Sequence, residues 1–331
     1  MKQYRILIVG FGIIGKGLLK TLEQKQAYIR KRHGVDLRVS GVCEINGCLL
    51  PKGDVDLSTV LSKPLAEQEG WRQGLKTLDA IKESTADAVV ELTPGNIQTG
   101  QPGLNHILAA LESGKDVATS NKAPFATNYK RIMDAQEKTG KTVLFEATVG
   151  GAVPLLNLYR ETLKADSIES IYGILNGTTN FILTKMTDDG VPFDAALNEA
   201  KELGIAEPDP TYYIQGIDTA AKVVILANAL MGQNITFSDV KVTGIADITY
   251  ETVSLASKHG YAIKLIGDVG AREVSPRLVP KHHPLNVSGT LNAIQLNTDI
   301  ARDVTVIGRG AGPRETSSAI LSDVITLAGR K

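Results

Sequence analysis

A short β-branched run, Arg5 to Val9, meets Gly10-Phe11-Gly12-Ile13-Ile14-Gly15 and passes into a helix-forming stretch from Lys16 to about Arg30. Strand, G-x-G-x-x-G and helix in that order form the unit that takes the pyrophosphate of a dinucleotide, and they commit this part of the chain to a parallel α/β sheet. Each glycine has a mechanical task. Gly10 permits the tight turn, Gly12 lets the backbone approach a pyrophosphate, and Gly15 lets helix and strand pack closely. The helix start, with Ile13 and Ile14, offers N–H groups and a positive dipole end to the phosphates.

The following segments agree with such a domain. A second strand, Leu37 to Cys43, ends in Glu44, where an acid would hold the adenosine ribose hydroxyls and repel a 2′-phosphate. Glu44 therefore favours NAD over NADP, while Lys52 nearby keeps NADP open; a plain solvated acid is the alternative for Glu44. Ala88 to Thr93 reads as a buried strand turning at Thr93-Pro94-Gly95, which puts Thr93 and Pro94 at the carboxyl edge, facing the nicotinamide ribose. His106 to Ser113 is a helix closed by Gly114. Asp116 to Lys122 is the next strand and its exit loop, so Lys122 emerges at that same edge.

Composition narrows the function classes. Thirty-six basic residues balance thirty-six acidic ones among 331, so no global field draws the chain to nucleic acid or an anionic membrane. Cys43 and Cys48 are too few for a disulfide framework or a zinc cluster, and a Cys-x4-Cys pair on one loop reads as incidental. No apolar run of about eighteen residues is present to span a bilayer, and the N-terminus lacks signal-peptide character. The expectation is a cytoplasmic protein acting on a small molecule.

From Val143 the organisation changes. Val143 to Pro154 is a strand running into a glycine turn and a helix. Ile168 to Leu175 is a strand, and Asn176-Gly177-Thr178-Thr179-Asn180 opens a helix to about Asp188; its donors suit a carboxylate, though a helix cap explains part of the pattern. The stretch Gly204 to Lys222 places Glu207, Asp209, Asp218 and Lys222 around two prolines and a turn glycine, ahead of an apolar helix from Ile217 to Leu230. Asp218 and Lys222 are four apart, so they share one helix face. The bland reading is an exposed ion pair worth a few tenths of a kcal/mol; the functional one is a proton-handling pair beside a substrate acid.

These blocks together resemble homoserine dehydrogenase. The resemblance is carried by Gly10 to Gly15, Thr119-Ser-Asn-Lys122, Glu146-Ala-Thr-Val-Gly-Gly-Ala-Val-Pro154, Gly173 to Leu183, Gly204 to Pro210, Gly216 to Lys222 and Gly308-Arg-Gly-Ala-Gly312. They occur in the family's order over nearly the whole chain, which resembles the short form without a regulatory domain. The resemblance implies NAD(P)-dependent, reversible oxidation of L-homoserine to L-aspartate 4-semialdehyde, a step of threonine and methionine biosynthesis. It implies that Lys222 transfers the proton, that Asp218 positions it, that Lys122 is a second active-site lysine, and that Glu207 binds substrate with Asp209 and Thr178 close by. Glu146 with the backbone carbonyls of Val149, Gly151 and Val153 matches a monovalent-cation site, sodium in the family. The Gly308 to Gly312 loop, with Gly310, matches a segment that touches the cofactor, and the middle sheet matches a homodimer interface.

The chemistry agrees with those roles. Hydride leaves the alcohol carbon as its hydroxyl proton is taken, so the base must be neutral part of the time, and two lysines converging on one hydroxyl would assist by mutual repulsion. One position departs from the family: Tyr213 stands where an aspartate usually helps hold the substrate's amino group. A phenol accepts a hydrogen bond but does not neutralise an ammonium. A dehydrogenase of this family acting on another short hydroxy acid or aldehyde therefore stays open, as does a non-catalytic nucleotide-binding regulator. The expected organisation is α/β: an N-terminal Rossmann domain over residues 1–140, an α+β catalytic and dimerisation domain over 141–305, and a strand and helix over 306–331 returning to the first domain. A loop is expected from Pro276 to Pro284.

Overall fold

The computed structural model describes residues 2–330, which form two compact units: 2–148 with 312–330, and Val149–Ala311. In the first unit β1 (Lys2–Val9) leads into α1 (Ile13–His33) and β2 (Val35–Glu44), then β3 (Gly47–Leu49), α2 (Leu57–Ser62), β4 (Trp71–Gln73) and α3 (Thr77–Glu83). β5 (Ala88–Glu91), α4 (Gly103–Glu112), β6 (Asp116–Thr119), α5 (Lys122–Thr139) and β7 (Val143–Leu144) complete its first pass. The sheet order is β4-β3-β2-β1-β5-β6-β7, with β2, β1, β5, β6 and β7 parallel and β3 and β4 antiparallel at one edge. From Ile6 to Val9 β1 is buried without a break, as expected of a parallel strand covered on both faces. The chain order reverses at β1, which has β2 on one side and β5 on the other. That switch point brings the ends of β1, β2, β5 and β6 to one ligand-binding edge.

The second unit begins with α6 (Leu155–Thr162) and β8 (Ile168–Ile174), followed by α7 (Gly177–Asp188), α8 (Phe193–Glu202), α9 (Thr211–Ile214) and α10 (Ile217–Met231). β9 (Lys241–Val242), α11 (Tyr250–Lys258), β10 (Tyr261–Asp268), β11 (Glu273–Pro280), β12 (Leu291–Thr298) and β13 (Arg302–Arg309) follow, in a sheet of order β13-β12-β8-β10-β11-β9. α10 is buried on nearly every face, so it is a core helix rather than an amphipathic cover. α12 (Pro313–Gly329) then belongs to the first unit, where Ile320, Val324 and Leu327 join a core with Leu18 and Leu22 of α1 and Ile6 and Ile8 of β1.

Three expectations are corrected here. Residues 276–280 are strand, not loop: Pro276 pairs with Leu265 and Pro280 with Tyr261. β9 covers β11 only at Glu273 and Val274, so the prolines lie where the missing N–H groups leave no ladder bond broken. The strand near Thr305 is β13, which pairs with β12 in the second unit; only the helix after it belongs to the first. Cys43 and Cys48 are not on one loop but face one another across β2 and β3.

Lys264 of β10 is buried and donates to Asn180 Oδ1 at 3.0 Å, Thr184 Oγ1 at 3.4 Å and the Val287 carbonyl at 2.7 Å, so it ties α7 to β10. Burial brings its amine down to about 8, against a smaller opposing pull from Asp188. The unfolded chain, titrating near ~10.4, binds the extra proton between those two values, so this group's contribution to stability rises with pH across that window. Urea unfolding from pH 7 to 10.5 is expected to show a rise in wild type, relative to Lys264→Met, of about 3 kcal/mol; parallel profiles would show that the amine is not perturbed.

Candidate functional site

The dinucleotide turn has the shape its glycines require. A Cβ on Gly10 (φ 103°) would lie 2.8 Å from the Leu92 carbonyl carbon, and one on Gly15 would lie 2.3 Å from the Gly10 oxygen. Above Gly12 there is nothing within 4 Å, leaving the room a pyrophosphate needs. Gly12 caps α1 without a side-chain hydrogen bond, the first turn holds no acid, and Ile13 is exposed. The helix end is thus open to an anion, with Ile14 packed inward against the core. Alongside it lies a cavity of about 390 Å³ lined by Phe11, Lys16, Glu44 and the segment from Val60 to Ala66. Glu44 faces this cavity as expected. The lysines that line it are Lys16 and Lys63, not Lys52, a pair that the sequence reading missed.

At the carboxyl edge the organising residue is Glu91, fully buried at the end of β5. Its carboxylate accepts the backbone N–H of Thr93 at 3.1 Å, the Thr93 hydroxyl, and the Thr119 hydroxyl at 3.3 Å, with His106 Nδ1 3.3 Å away. Asn121 donates to the Thr93 carbonyl at 2.9 Å and accepts from the Ala123 N–H at 3.2 Å, capping α5. One polar cluster thereby fixes the Thr93-Pro94 turn and the helix that begins at Lys122. The Thr93 hydroxyl and N–H are committed to Glu91 and its carbonyl to Asn121, which leaves the exposed Pro94 to meet a ligand. An acid inside a four-residue apolar strand was the available signal for Glu91.

In the second unit Asp218 and Lys222 are buried, which removes the exposed-pair reading. Lys222 Nζ donates to Asp218 Oδ2 at 2.7 Å and to the Leu175 carbonyl. Asn176 caps α7 through Oδ1, which accepts the Thr179 N–H at 2.9 Å, and its Nδ2 donates to Asp218 Oδ2 at 2.9 Å. The end of β8, the start of α7 and the first turns of α10 therefore meet at one ion pair. The Thr178 hydroxyl donates to the Ile205 carbonyl at 3.0 Å, tying α7 to the loop that carries Glu207. Glu207 and Asp209 are exposed. Asp209 accepts the Thr211 N–H at 3.1 Å at the entry to α9, and its bonds to Thr211 hold its carboxyl below the usual range. The Tyr213 hydroxyl donates to Glu207 Oε1 at 2.9 Å, and burial, followed by this bond, pushes its phenol up.

The remaining positions divide by unit. Glu146 is buried in the first, its N–H donating to Asp323 at 2.9 Å. Val149, Gly151 and Val153 are in the second, where a Cβ on Gly151 would lie 2.6 Å from Gly310. Gly310 in turn packs on Asn292, a fully buried amide with no hydrogen-bond partner among the described residues. No group of three or more His, Cys, Asp or Glu side chains suited to a metal is found among the described residues, and no helix there is long and apolar enough to cross a membrane.

Family models cover both units: one described as homoserine dehydrogenase matches residues 154–325, and its NAD-binding domain matches residues 10–146. The chain belongs to the homoserine dehydrogenase family. It is 50% identical to homoserine dehydrogenase of Methanocaldococcus jannaschii, over 97% of each chain. With an NAD(+)-dependent homoserine dehydrogenase from Pseudomonas canavaninivorans it shares 32% over 98% of this chain and 96% of the relative. A crystal structure from Archaeoglobus fulgidus aligns at TM-score 0.90 and 40% identity, covering 98% of each chain. A hyperthermophilic archaeal homoserine dehydrogenase mutant in complex with NADPH aligns at TM-score 0.85 and 28% identity, over 99% of this chain and 98% of that one.

Within this family fold the Glu91 cluster carries a stability prediction. Glu91→Ala leaves the Thr93 and Thr119 hydroxyls and His106 without their buried acceptor and is expected to cost about 3 kcal/mol in urea unfolding. A loss under about 0.5 kcal/mol, the level of an ordinary surface change, would show that the cluster is dispensable.

Proposed function

We propose that the chain catalyses the reversible oxidation of L-homoserine to L-aspartate 4-semialdehyde with NAD or NADP. The observation that carries the reading is the buried contact of Lys222 with Asp218, whose carboxylate also accepts from Asn176, in a chain related to homoserine dehydrogenases along its length. The fold alone requires no buried lysine–aspartate pair, which argues against a purely regulatory nucleotide-binding protein.

The nicotinamide cofactor, when bound, supplies the hydride acceptor, and Gly10, Gly12, Gly15 and the start of α1 at Ile13 and Ile14 provide its phosphate cradle. Thr93 and Pro94 hold the nicotinamide end, and Gly310 contributes from its loop, where the orphaned Asn292 amide awaits a polar partner. Glu44 holds the ribose hydroxyls and favours NAD; Lys16 and Lys63 in the same cavity leave NADP usable. Lys222 removes the hydroxyl proton during oxidation and returns one to the aldehyde oxygen during reduction, and Lys122 assists at the same oxygen. Asp218 orients Lys222 and stabilises its ammonium form, which favours proton donation in the reductive direction.

Glu207 receives the substrate's ammonium, with Thr178 and Asp209 shaping the loop around it. The Tyr213 hydroxyl, donating to Glu207, orients that carboxylate in place of a second acid. Glu146 with the carbonyls of Val149, Gly151 and Val153 would hold a monovalent cation, sodium by resemblance. Homodimers would form through the six-stranded sheet, which leaves Leu278 of β11 and Ile307 of β13 exposed.

Steady-state reduction of NAD and NADP with L-homoserine tests the reading. Lys222→Ala is expected to lower kcat about 1,000-fold with cofactor affinity nearly intact; unchanged turnover would remove the lysine from the mechanism. Tyr213→Phe is expected to raise the KM for L-homoserine several-fold at nearly constant kcat. A wild type that prefers the des-amino analogue, 4-hydroxybutyrate, would instead show that the substrate lacks the amine.

A further inference from the structure

We infer that Cys43 and Cys48 form a reversible dithiol–disulfide couple that staples the hairpin carrying Glu44. They are register partners across antiparallel β2 and β3, and the next pair outward, Glu44 with Gly47, closes a turn of two residues, Ile45 and Asn46. The Cys43 carbonyl accepts the Gly10 N–H at 2.9 Å, so its backbone polar groups point toward β1 and away from β3. Cys43 and Cys48 are therefore a non-hydrogen-bonded pair, whose Cα atoms stand ~4.5 Å apart with side chains on one face. That separation lies inside the ~4.4–6.8 Å range of disulfides. The couple touches the cofactor site twice, through Glu44 as the next residue and through Gly10 of the phosphate turn.

The surroundings divide the thiols into two roles. Cys48 is held below the usual thiol range by its contact with Cys43, against the opposing effect of burial, with Arg72, its partner on β4, helping and Glu44 and Glu83 opposing. The same contact, followed by burial, pushes Cys43 up. Cys48, on β3 nearer the sheet edge, is the attacking thiol and Cys43, on the inner strand β2, the resolving one. Both are fully buried, yet β3 and β4 are three-residue strands at the sheet edge, the kind of element that opens locally at low cost.

With a hydroperoxide as oxidant, the Cys48 thiolate attacks the terminal oxygen of hydrogen peroxide, giving the sulfenic acid and hydroxide. The Cys43 sulfur then attacks that sulfenic sulfur; the S–S bond forms, and its proton and the hydroxyl leave as water. Two thiols and one peroxide yield one disulfide and two waters.

A disulfide sets its Cβ atoms at about 3.8 Å, against ~4.5–5.5 Å for an open cross-strand pair. Closure draws β3 toward β2 beside Glu44 and Gly10 and loosens the grip on the adenosine ribose. This last step rests on the cofactor reading above; bond formation does not.

The test treats the reduced protein with a small excess of hydrogen peroxide, then alkylates it in denaturant and digests it with trypsin, which leaves both cysteines on peptide 39–52. The expected peptide is two hydrogens lighter and unalkylated, reverts with dithiothreitol, and accompanies a several-fold weaker NADH affinity in fluorescence titration. Cys43→Ala and Cys48→Ala, which keep a small apolar side chain, should hold that affinity constant under peroxide. Two alkylated thiols after treatment of the native protein, when the urea-unfolded protein oxidises, would overturn the couple. A disulfide without change in NADH affinity would overturn its link to the cofactor. Failure of the reduced protein to bind NADH at all would instead refute the cofactor reading and leave the mass result standing.

Discussion

A carboxylate and an amine one helical turn apart, both removed from water, are the constraint around which the second unit is arranged. Leaving either partner alone in that interior would cost several kcal/mol, whereas a hydrophobic pair of similar volume would fill the space without that risk. The fold accepts the pair by surrounding it with acceptors and donors: the Leu175 carbonyl for Lys222 and the Asn176 amide for Asp218. Because those groups belong to the end of β8 and the first residues of α7, the pair also fixes where a strand, a turn and two helices meet. Such a satisfied network holds a lysine in one orientation, which is what transfer of a single proton to or from a bound oxygen requires.

The first unit shows the same economy around Glu91. A parallel sheet leaves the carboxyl ends of its strands as loops, and loops that must present backbone to a cofactor need anchoring below. Glu91 takes donors from the Thr93 turn and from Thr119, with His106 alongside, and Asn121 relays the anchorage to the start of α5. On the other side of β1, Cys43 and Glu44 of β2, with Cys48 facing from β3, lead to the cavity that Glu44 lines.

Much of this was legible because the signals are local. The fingerprint is a strand, three glycines at fixed spacing and a helix, all in one unbroken stretch of sequence. α10 was legible through an apolar run bounded by Gly216 and Gly232, observed as Ile217–Met231 against an expected end at Leu230. What escaped depends on partners distant in sequence. Glu91 looks like an isolated acid until Thr119 is brought beside it by the parallel pairing of β5 and β6. β11 was hidden by Pro276 and Pro280, whose tolerance depends on how short its outer neighbour β9 is. The facing cysteines flank a two-residue turn, Ile45-Asn46, but two thiols with four residues between them were read as loop residues. Burial of Asp218 and Lys222, which separates a surface ion pair from a working one, is a tertiary property that no spacing encodes.

The central claim, that a buried carboxylate holds Lys222 for proton transfer, is tested most directly by single-turnover hydride transfer in Asp218→Asn. The replacement keeps the volume and one acceptor oxygen while removing the charge that both Lys222 and Asn176 address. With L-homoserine and NAD at saturation, the NADH burst is expected to slow by about two orders of magnitude or more, with the cofactor dissociation constant unchanged. A burst at the wild-type rate would mean that the proton is handled elsewhere and that the pair is structural.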